Sequence, residues 1–412
     1  MTFPMAIIAD DLTGAADSAA VFGPVIDAWV ALDARSLPDG DLVAVDTDSR
    51  YASEERAVEV VGEAARTAVA AGARLHKKID SILRGNVAAE VAATLDAVDA
   101  ARPGPALAVV APAFPATGRT TVGGVVHVSG EPLSSAPHGG DLLALLEAGG
   151  VRAGLAERGA VRSSAFALTM RINELAAQGC RAVVCDAETD EDLQAVQLAM
   201  ALLERPVVLV GSAGIMRVSV YDLAADSDGI VCRADAGGAD RTTLVVCGSS
   251  TEISHEQVEQ LAGQDGVRIV DVRAPYGPQQ RAEALAAARA AFAEHLDPVV
   301  VPDRQQPVRD DWAPVVEEAM AEVGGQLLAE RADVLSGAVL TGGATARAVL
   351  LRAGAGRMSV KGEVEPGTVL SAMDCGDGLP LITKSGSFGD AQALLRCRLT
   401  LRGLGPADVP ST

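Results

Sequence analysis

The chain has 412 residues, of which 49% are hydrophobic, 22% are charged and 3% are aromatic, and its formal net charge is −21. This length exceeds what one hydrophobic core usually holds and predicts two domains, while the balanced composition excludes wholesale disorder. The acidic charge argues against nucleic acid and anionic membrane surfaces as partners, so an anionic ligand would need a local basic site.

The sequence carries no signal for export or for membrane insertion. Its first residues lack the basic region of a signal or transit peptide, and no uncharged apolar run approaches the ~18 residues that span a bilayer. Six cysteines are scattered without any C-x-x-C pair, which favours reduced thiols over a disulfide framework or a zinc site. We therefore expect a cytoplasmic protein.

Short apolar runs alternate with Ala-rich helical patterns along most of the chain. The predicted strands are, in chain order, Ala6–Ala9, Leu42–Val45, Arg74–Ile79, Leu107–Ala111, Ala182–Cys185, Val207–Val210, Leu244–Cys247, Ile269–Val272, Val299–Val301, Ala338–Leu340 and Pro380–Thr383. The clearest predicted helices are Ser53–Ala71, Glu188–Leu203, Gln279–His295 and Trp312–Ala329. Since the strands are continuous apolar runs, they suit parallel sheets covered on both faces, and the β–α alternation predicts the α/β class.

The small and polar stretch 233–241 lies between a helical region and a new strand, which makes it the best candidate for a domain boundary. We therefore predict two α/β domains with mostly parallel sheets, over 1–235 and 242–406, with a ligand cleft between them. The Gly- and Pro-rich stretch 112–140 is too long for a plain connection. We expect it to be a functional or interface loop that contains a short hairpin around Val125–Val128.

The first candidate site follows the first predicted strand. Asp10 and Asp11 come directly after it, and Thr13 and Gly14 lead into a helix. Ligands of open α/β sheets bind at the carboxyl ends of strands, so either acid is a candidate to bind substrate or to accept a proton. The alternative is that Asp11 or Thr13 only caps the helix. Leu12 argues against a phosphatase with an Asp nucleophile, and the opposite directions of adjacent extended residues predict different roles for the two acids.

The second candidate site is marked by scarce lysines. Only four of the 34 basic residues are lysines, namely Lys77, Lys78, Lys361 and Lys384. A chain so rich in Arg favours Lys where a compact ammonium is needed. Lys78 and Asp80 lie two positions apart at a strand end, and Ser81, Arg84 and Gly85 form a polar turn after them. This set suits a polyol with a carboxylate, and the alternative is a solvated strand end.

Two further arginines are candidates for the same ligand. Arg50 follows another predicted strand and is suited to clamp a carboxylate through two parallel hydrogen bonds. Arg119 stands in the turn-rich loop 112–121 with two Thr hydroxyls, where it would close over a substrate. The alternatives are a lone surface arginine and a rigid Pro/Gly connection.

Three loops of the C-terminal half have the composition of phosphate-binding loops. They are 246–250, 339–345 and 381–389, each the end of a predicted strand with the turn that follows it, and the last contains Lys384. Glycine lets the backbone approach a phosphate closely, and helix N-termini present free N–H groups to it. Neither G-x-x-x-x-G-K-[ST] nor G-x-G-x-x-G is present. Acids and cations in the first half and phosphate loops in the second therefore favour a two-domain kinase.

Five sequence blocks also resemble the signature blocks of the four-carbon acid sugar kinase family, in order and along nearly the whole chain. The blocks are Ala9-Asp-Asp-Leu-Thr-Gly-Ala, Lys78-Ile-Asp-Ser-Ile-Leu-Arg-Gly-Asn, Pro112-Ala-Phe-Pro-Ala-Thr-Gly-Arg, Thr341-Gly-Gly-Ala-Thr and Thr383-Lys-Ser-Gly-Ser-Phe-Gly. Two positions depart from the family pattern. Ile82 stands where a small or hydroxyl residue is common, and Ser387 stands where glycine is usual.

The resemblance implies that 1–235 binds a sugar acid such as threonate, erythronate or 3-oxo-tetronate. It implies that 242–406 binds ATP and that the terminal hydroxyl of the acid accepts the phosphoryl group. On the sugar-acid side it implies roles for Asp10, Arg50, Lys78, Asp80, Ser81 and Arg84. On the nucleotide side it implies roles for Ser249, Gly342, Gly343, Ala344, Thr345 and Gly386. The residues themselves add Arg119 to the first set and Lys384 to the second.

We therefore predict an ATP-dependent kinase of a small sugar acid, with Mg²⁺ carried on the nucleotide and no metal bound by the protein itself. The candidate proton acceptors are Asp10, Asp11 and Asp80. The alternatives are a non-catalytic sugar-acid-binding or regulatory protein and a sugar-acid isomerase or aldolase. The sequence leaves open the substrate, its stereochemistry and the oligomeric state, and a homodimer is compatible with it.

Overall fold

The computed structural model describes residues 4–219, 241–305, 312–375 and 378–404. Contacts within the chain divide it into two units, with the described residues 4–219 in unit 1 and the described residues from 241 onward in unit 2. The predicted boundary 233–241 lies outside the described residues except for Arg241. The domain limits 1–235 and 242–406 therefore stay predictions.

Unit 1 contains a parallel sheet with helices between its strands. Its elements are β1 (Met5–Ala9), α1 (Leu12–Ala20), β2 (Ala28–Ala31), β3 (Leu42–Asp46), α2 (Glu54–Ala70), β4 (Arg74–Lys78), α3 (Val87–Ala101), β5 (Leu107–Ala111), β6 (Arg119–Val122), β7 (Val125–Val128), β8 (Glu131–Pro132), α4 (Leu142–Ala148), β9 (Ala153–Ala156), α5 (Arg158–Val161), α6 (Ala165–Ala177), β10 (Ala182–Cys185), α7 (Asp190–Ala201), β11 (Val207–Gly211) and α8 (Ala213–Val218).

The strand order of this sheet is β2-β3-β1-β4-β11-β5-β10-β9, and every neighbouring pair in it is parallel. The carboxyl ends of β3, β1 and β4 are therefore adjacent, which places the loops after these strands side by side. A separate antiparallel sheet, β6-β7-β8, contains the hairpin predicted around Val125–Val128.

Unit 2 also contains hydrogen-bonded strands with helices between them. Its elements are β12 (Thr242–Cys247), α9 (Glu252–Ala262), β13 (Val267–Val272), α10 (Pro278–Ala293), β14 (Asp297–Pro302), α11 (Ala313–Arg331), β15 (Leu335–Thr341), α12 (Gly343–Arg352), β16 (Arg357–Glu365), β17 (Thr368–Met373), β18 (Pro380–Lys384) and α13 (Ala393–Leu401). The strand order is β13-β14-β12-β15-β18-β17-β16. The pairs from β13 to β18 are parallel, and β17 is antiparallel to both of its neighbours in this order.

Small aliphatic side chains form the core, as the low aromatic content predicts. Helix α2 buries Ala57, Val61, Ala64, Ala65 and Ala68, which recur every three or four residues and so form one stripe of the helix. Strands β3, β5 and β12 are buried over their whole length because helices cover both faces of a parallel sheet. Burying one Val or Leu side chain contributes about 1.5–3 kcal/mol, so many small contacts replace a few aromatic ones.

The predicted α/β class is confirmed, and each of the predicted strands is present. The prediction missed β2, β9, β16 and β17, and it gave only a hairpin where the small sheet β6-β7-β8 has three strands. Within the described part of the chain, no helix is both long enough and apolar enough to cross a bilayer.

Candidate active site

The predicted acids and cations of unit 1 meet where β3, β1 and β4 end. The loop after β3 is fastened to the end of β1, because the Thr47 hydroxyl donates to the Ala9 carbonyl at 2.7 Å. The backbone N–H groups of Ser49 and Arg50 donate to the Asp10 carbonyl at 3.0 and 3.1 Å. These bonds bring Arg50 against the acids that follow β1.

Arg50 and Asp10 form a buried, doubly hydrogen-bonded ion pair. Nε of Arg50 donates to one carboxylate oxygen of Asp10 at 2.7 Å, and Nη2 donates to the other at 2.8 Å. The side chains are only 9% and 3% exposed. Two charges taken out of water are tolerated only when they are paired and hydrogen-bonded, as they are here.

Neighbouring charges set the protonation states of Asp10 and Arg50. Burial alone would raise the pKa of Asp10, but the Arg50 ion pair, followed by Lys78 and Lys77, outweighs burial and lowers the pKa below its usual value. Burial likewise opposes the charge of Arg50, yet Asp10 and Asp11 raise its pKa well above the usual value. Asp10 is therefore held as a carboxylate at neutral pH.

Asp11 caps helix α1 and also binds the same arginine. It accepts hydrogen bonds from the Gly14 backbone N–H at 2.9 Å and from the Thr13 hydroxyl at 2.6 Å. Nη2 of Arg50 donates to Asp11 at 2.7 Å. Although Asp11 has extended backbone angles, both carboxylates accept a hydrogen bond from one guanidinium. The expectation that the two acids have different roles stays a prediction.

Lys78 lies beside the first turn of α1. Its ammonium donates to the Ile79 carbonyl at 3.0 Å. A Cβ added to Gly14 would lie 2.8 Å from the Lys78 nitrogen and 2.6 Å from an Asp11 oxygen, so only glycine fits at this position. The ammonium and the positive end of the helix together make this corner favourable for an anion.

Asp80, Ser81 and Arg84 form the turn after β4. Asp80 accepts from the Arg84 guanidinium at 2.7 and 3.0 Å and from its backbone N–H at 3.1 Å. Burial would raise the pKa of Asp80, but the hydrogen bond from Arg84 and the charges of Arg50, Arg84 and Lys78 lower it well below its usual value. Gly85 follows with φ of 89°, where a Cβ would lie 3.1 Å from the Arg50 carbonyl oxygen.

Arg119 opens β6 and belongs to the same charged region. Burial lowers the pKa of its guanidinium, Arg84 adds to this effect, and Asp80 and Asp17 oppose it. Asp17 lies on α1, four residues after Thr13 and so on the same side of the helix, and it is 9% exposed. The sequence analysis did not single out Asp17, although a lone acid among the small, mostly apolar residues of this helix is a signal that could have found it.

A buried network of an ion pair and hydrogen bonds, which the sequence analysis also missed, supports the loop that carries Arg50. The Lys77 ammonium, on the strand face opposite to that of Lys78, pairs with Glu90 of α3 at 2.7 Å. The Ser49 hydroxyl donates to the other oxygen of Glu90 at 2.7 Å. The Asn86 side chain donates to the Ser49 carbonyl at 3.1 Å. Lys77 is therefore a structural lysine that holds the loop carrying Arg50.

In unit 2, the three predicted phosphate loops follow the neighbouring strands β12, β15 and β18. Cys247 pairs with Thr341, and Thr341 pairs with Lys384, so the three strands end in register. The Gly342 N–H donates to the Lys384 carbonyl at 3.0 Å, and the Gly248 N–H donates to the Thr341 carbonyl at 3.2 Å. The loops are therefore side by side at one edge of the sheet.

Glycine is required where these loops pack against each other. A Cβ on Gly248 would overlap the Thr345 hydroxyl, and a Cβ on Gly386 would overlap the Ser249 side chain. The hydroxyls of Thr251 and Ser254 donate to the Gly386 carbonyl at 2.8 and 2.7 Å, which fixes the third loop on the first turn of α9.

Helix α12 begins with an open first turn. Gly342 precedes it with φ of 95°, and no side chain caps the helix at that position. The first N–H groups of a helix have no partner within it. The backbone N–H groups of Gly343, Ala344 and Thr345 are therefore placed to bind an anion, and Ala344 is exposed.

Lys384 is buried, unlike the loop residues that follow it. It is 0% exposed, and its ammonium donates to the Ser385 carbonyl at 2.9 Å. Burial lowers its pKa, while the nearby Cys397, Cys247 and Glu365 oppose this shift. In this structure Lys384 stabilises the third loop from within, and its direct contact with a phosphate stays a prediction.

The two edges differ in what they can bind. Unit 1 offers ionised carboxylates for hydroxyl groups and cations for a carboxylate or phosphate, whereas unit 2 offers mainly backbone N–H groups and hydroxyls. Among the described residues, no group of three or more His, Cys, Asp or Glu side chains is arranged to hold a metal ion.

Comparison with known proteins divides the chain in the same way. Residues 5–219 match a sugar-binding N-terminal domain, and residues 244–394 match a nucleotide-binding C-terminal domain. The chain is 37% identical to a D-threonate kinase of Cupriavidus necator, over 94% of this chain and 95% of that one. It is 30% identical to a 3-oxo-tetronate kinase of Methylobacterium radiotolerans, over 95% and 97%. A solved Haemophilus influenzae protein shares the fold with a TM-score of 0.73 at 21% identity, over 97% of this chain and 99% of that one.

Proposed function

Since this chain belongs to the four-carbon acid sugar kinase family, whose members are phosphotransferases acting on an alcohol group, we propose that it transfers the γ-phosphoryl group of ATP to the terminal hydroxyl of a four-carbon sugar acid. D-Threonate is the first substrate to test, because the relative with 37% identity carries that name. 3-Oxo-tetronate and erythronate follow. A homodimer and a cytoplasmic location stay predictions.

Basic side chains at the end of β4, in the turn after it and at the start of β6 are proposed to bind the carboxylate of the sugar acid. Lys78, Arg84 and Arg119 are the candidates, because a carboxylate is best held by charge-assisted hydrogen bonds from such groups. Ser81 is 7% exposed and supplies a hydroxyl beside them. Arg50 has three of its hydrogen bonds committed to Asp10 and Asp11, so we assign it to positioning the two acids.

The acids after β1 are proposed to bind the substrate hydroxyls. Asp11 is the more accessible of the two, with a side chain 16% exposed against 3% for Asp10. Each carboxylate oxygen accepts about two hydrogen bonds, and one oxygen of Asp11 has only the Thr13 hydroxyl among its described partners. We therefore propose Asp11 as the acceptor of the hydroxyl proton. Asp10 and Asp80 would orient the substrate and the basic side chains that bind it.

The triphosphate is proposed to bind at the first turn of α12. Gly342, Gly343, Ala344 and Thr345 would present backbone N–H groups to the phosphate oxygens, and Ser249 and Gly386 border the same space from the neighbouring loops. Mg²⁺ would arrive on the nucleotide and neutralise phosphate charge. Phosphoryl transfer depends mainly on positioning and charge neutralisation, so a strong base is not needed. The cleft between the two domains stays a prediction.

The observation that carries the proposal is the hydrogen-bonded Asp10–Arg50–Asp11 cluster, with Lys78 beside it, at the carboxyl edge of the part of the chain that matches a sugar-binding domain. The test is ADP formation by the purified protein with MgATP and each of D-threonate, D-erythronate and 3-oxo-tetronate. We expect one acid to be strongly preferred. ADP formation equal to the acid-free blank with all three would contradict the proposal. The alternatives of a binding protein or an isomerase have no support in the names of these relatives.

A further inference from the structure

A cavity of about 590 Å³ opens in unit 1 at the edge where the strands begin, opposite to the edge that carries the acids. Its wall includes Met5 at the start of β1, Arg74 at the start of β4 and Val207 at the start of β11. Residues of α7 and α8 also line it. A cavity of this volume is large enough for a small organic ligand.

The charge of the wall is opposite to that of the protein. Arg74, Arg102 and Arg205 line the cavity, and no Asp or Glu is among its described lining residues, although the whole chain has 55 acids. Many arginines elsewhere in the chain are paired with carboxylates, as Arg162 is with Asp192 at 2.6 Å. Within the described part of the chain none of the three cavity arginines forms an ion pair, and Arg102 donates only to a backbone carbonyl. The guanidinium groups of these arginines could therefore bind an anion.

A buried histidine also lies in the cavity wall. His76 lines the cavity and is 2% exposed. Its Nδ1 lies 3.2 Å from the Leu209 carbonyl, which can only accept, so Nδ1 carries the proton. Nε2 has no hydrogen-bond partner among the described residues. Burial, followed by Lys78 and Lys77, lowers the pKa of the ring to about 3, so Nε2 is an acceptor at neutral pH.

The rest of the wall is largely apolar. Leu198 of α7 is 56% exposed beside the cavity, and Met200, Leu203 and Met216 also line it. Leaving a large aliphatic side chain in water is unfavourable relative to burying it, so an apolar group on a ligand would be stabilised here. An inorganic ion alone would leave this surface uncovered.

We propose that this cavity is a second ligand site, which binds an amphipathic organic oxyanion with a carboxylate or phosphate head and an aliphatic body. Arg74 and Arg205 bind the head, and the Leu198 side of the cavity binds the body. The site is distinct from the edge of the sheet that carries Asp10 and Asp11. Strand β4 links the two, because His76 and Lys78 lie two residues apart on the same face of that strand.

The proposal is tested by isothermal titration calorimetry of the full-length protein with octanoate and with octyl phosphate, which distinguish the two heads. We expect one binding event per chain for at least one of them. Octan-1-ol, which lacks the charge, and inorganic phosphate, which lacks the aliphatic body, should bind at least about tenfold more weakly. The paired substitutions Arg74→Gln and Arg205→Gln should lower the affinity about tenfold or more, because each removes a charge-assisted contact.

Arg56→Gln is the matched control, since Arg56 is an exposed arginine on α2 and is absent from the cavity wall. It should leave the affinity unchanged, and an excess of D-threonate should not displace octanoate. Circular dichroism and thermal unfolding check that the variants are folded. The proposal is overturned if neither amphipathic probe binds, if inorganic phosphate binds as tightly, if D-threonate competes, or if the double variant binds like the control.

Discussion

Replacing Arg50 by Met should destabilise unit 1 strongly, and the loss should depend on Asp10. The substitution keeps an aliphatic side chain of similar length but removes the guanidinium that makes three hydrogen bonds of 2.7–2.8 Å to Asp10 and Asp11. Asp10 would remain buried at 2% exposure without its partner. Breaking a buried ion pair from one side costs about 3–5 kcal/mol, so we expect a loss of that size in the free energy of unfolding near pH 7.5.

The pH dependence gives the sign of the effect. In the native chain the pKa of Asp10 is lowered by its cations in the folded state. Its contribution to stability is therefore present above the unfolded pKa and is lost as the pH falls through the folded pKa. Without Arg50, burial raises the pKa of Asp10, and the folded state then gains from protonation. The difference between the native chain and Arg50→Met should therefore become smaller from pH 7.5 to pH 5.

Urea unfolding followed by Trp29 fluorescence, in a Trp312→Phe background, reports on unit 1, because Trp29 lies on β2 and Trp312 lies in unit 2. Adding Asp10→Asn to Arg50→Met should restore part of the lost stability, since it removes the unpaired charge. The control is Arg56→Met, which breaks an exposed pair with Glu59 and should cost at most about 1 kcal/mol. Equal losses from both arginines, or strict additivity with Asp10→Asn, would refute the reasoning.

Three further predictions concern activity. In calorimetry, Gly343→Val should weaken ATP binding strongly and leave D-threonate binding nearly intact. The control Gly263→Val, at the end of another helix, should change neither affinity. Unchanged nucleotide affinity in a folded Gly343→Val variant would reject the phosphate site. Lys78→Met should lower kcat/KM by about tenfold or more, because it removes a charge-assisted contact. The control Lys361→Met, at an exposed lysine, should have little effect. Equal small effects from both substitutions would show that the scarcity of lysine does not indicate which lysines bind substrate. Asp11→Asn should lower kcat by about 10²–10⁴-fold with KM little changed, and near-normal kcat with a lowered Tm would make Asp11 only a helix cap.

Local sequence patterns predicted the parts of the fold that depend on local chemistry. Val- and Ile-rich runs such as Leu107–Ala111 are buried strands because both faces of a parallel sheet are covered. Strands β2 and β9, with the sequences AWVA and AGLA, are short and rich in small residues, so their pattern does not distinguish them from helix or loop. Strand β16 mixes charged and apolar residues because parts of it are half-buried or exposed.

The sequence predicted which residues belong to the site, but not which of them form ion pairs with each other. Asp10, Asp11 and Arg50 were each candidates from their positions after strands. Their shared ion pair joins residues 40 positions apart, and nothing in the local sequence indicates which acid an arginine meets. The same limit explains why Lys77 was not assigned to Glu90 and why the burial of Lys384 was not foreseen. Both depend on packing between distant segments.

The central claim is that the chain phosphorylates the terminal hydroxyl of a four-carbon sugar acid. The most direct test is ³¹P NMR of the product formed from D-threonate and MgATP, with proton-coupled spectra to locate the ester, repeated with D-erythronate and 3-oxo-tetronate. We predict ADP and one new phosphate monoester in equal amounts, with its phosphorus coupled to the two protons of the terminal CH₂ group. A phosphate on an internal hydroxyl, or no phosphate ester with any of the three acids, would contradict the account.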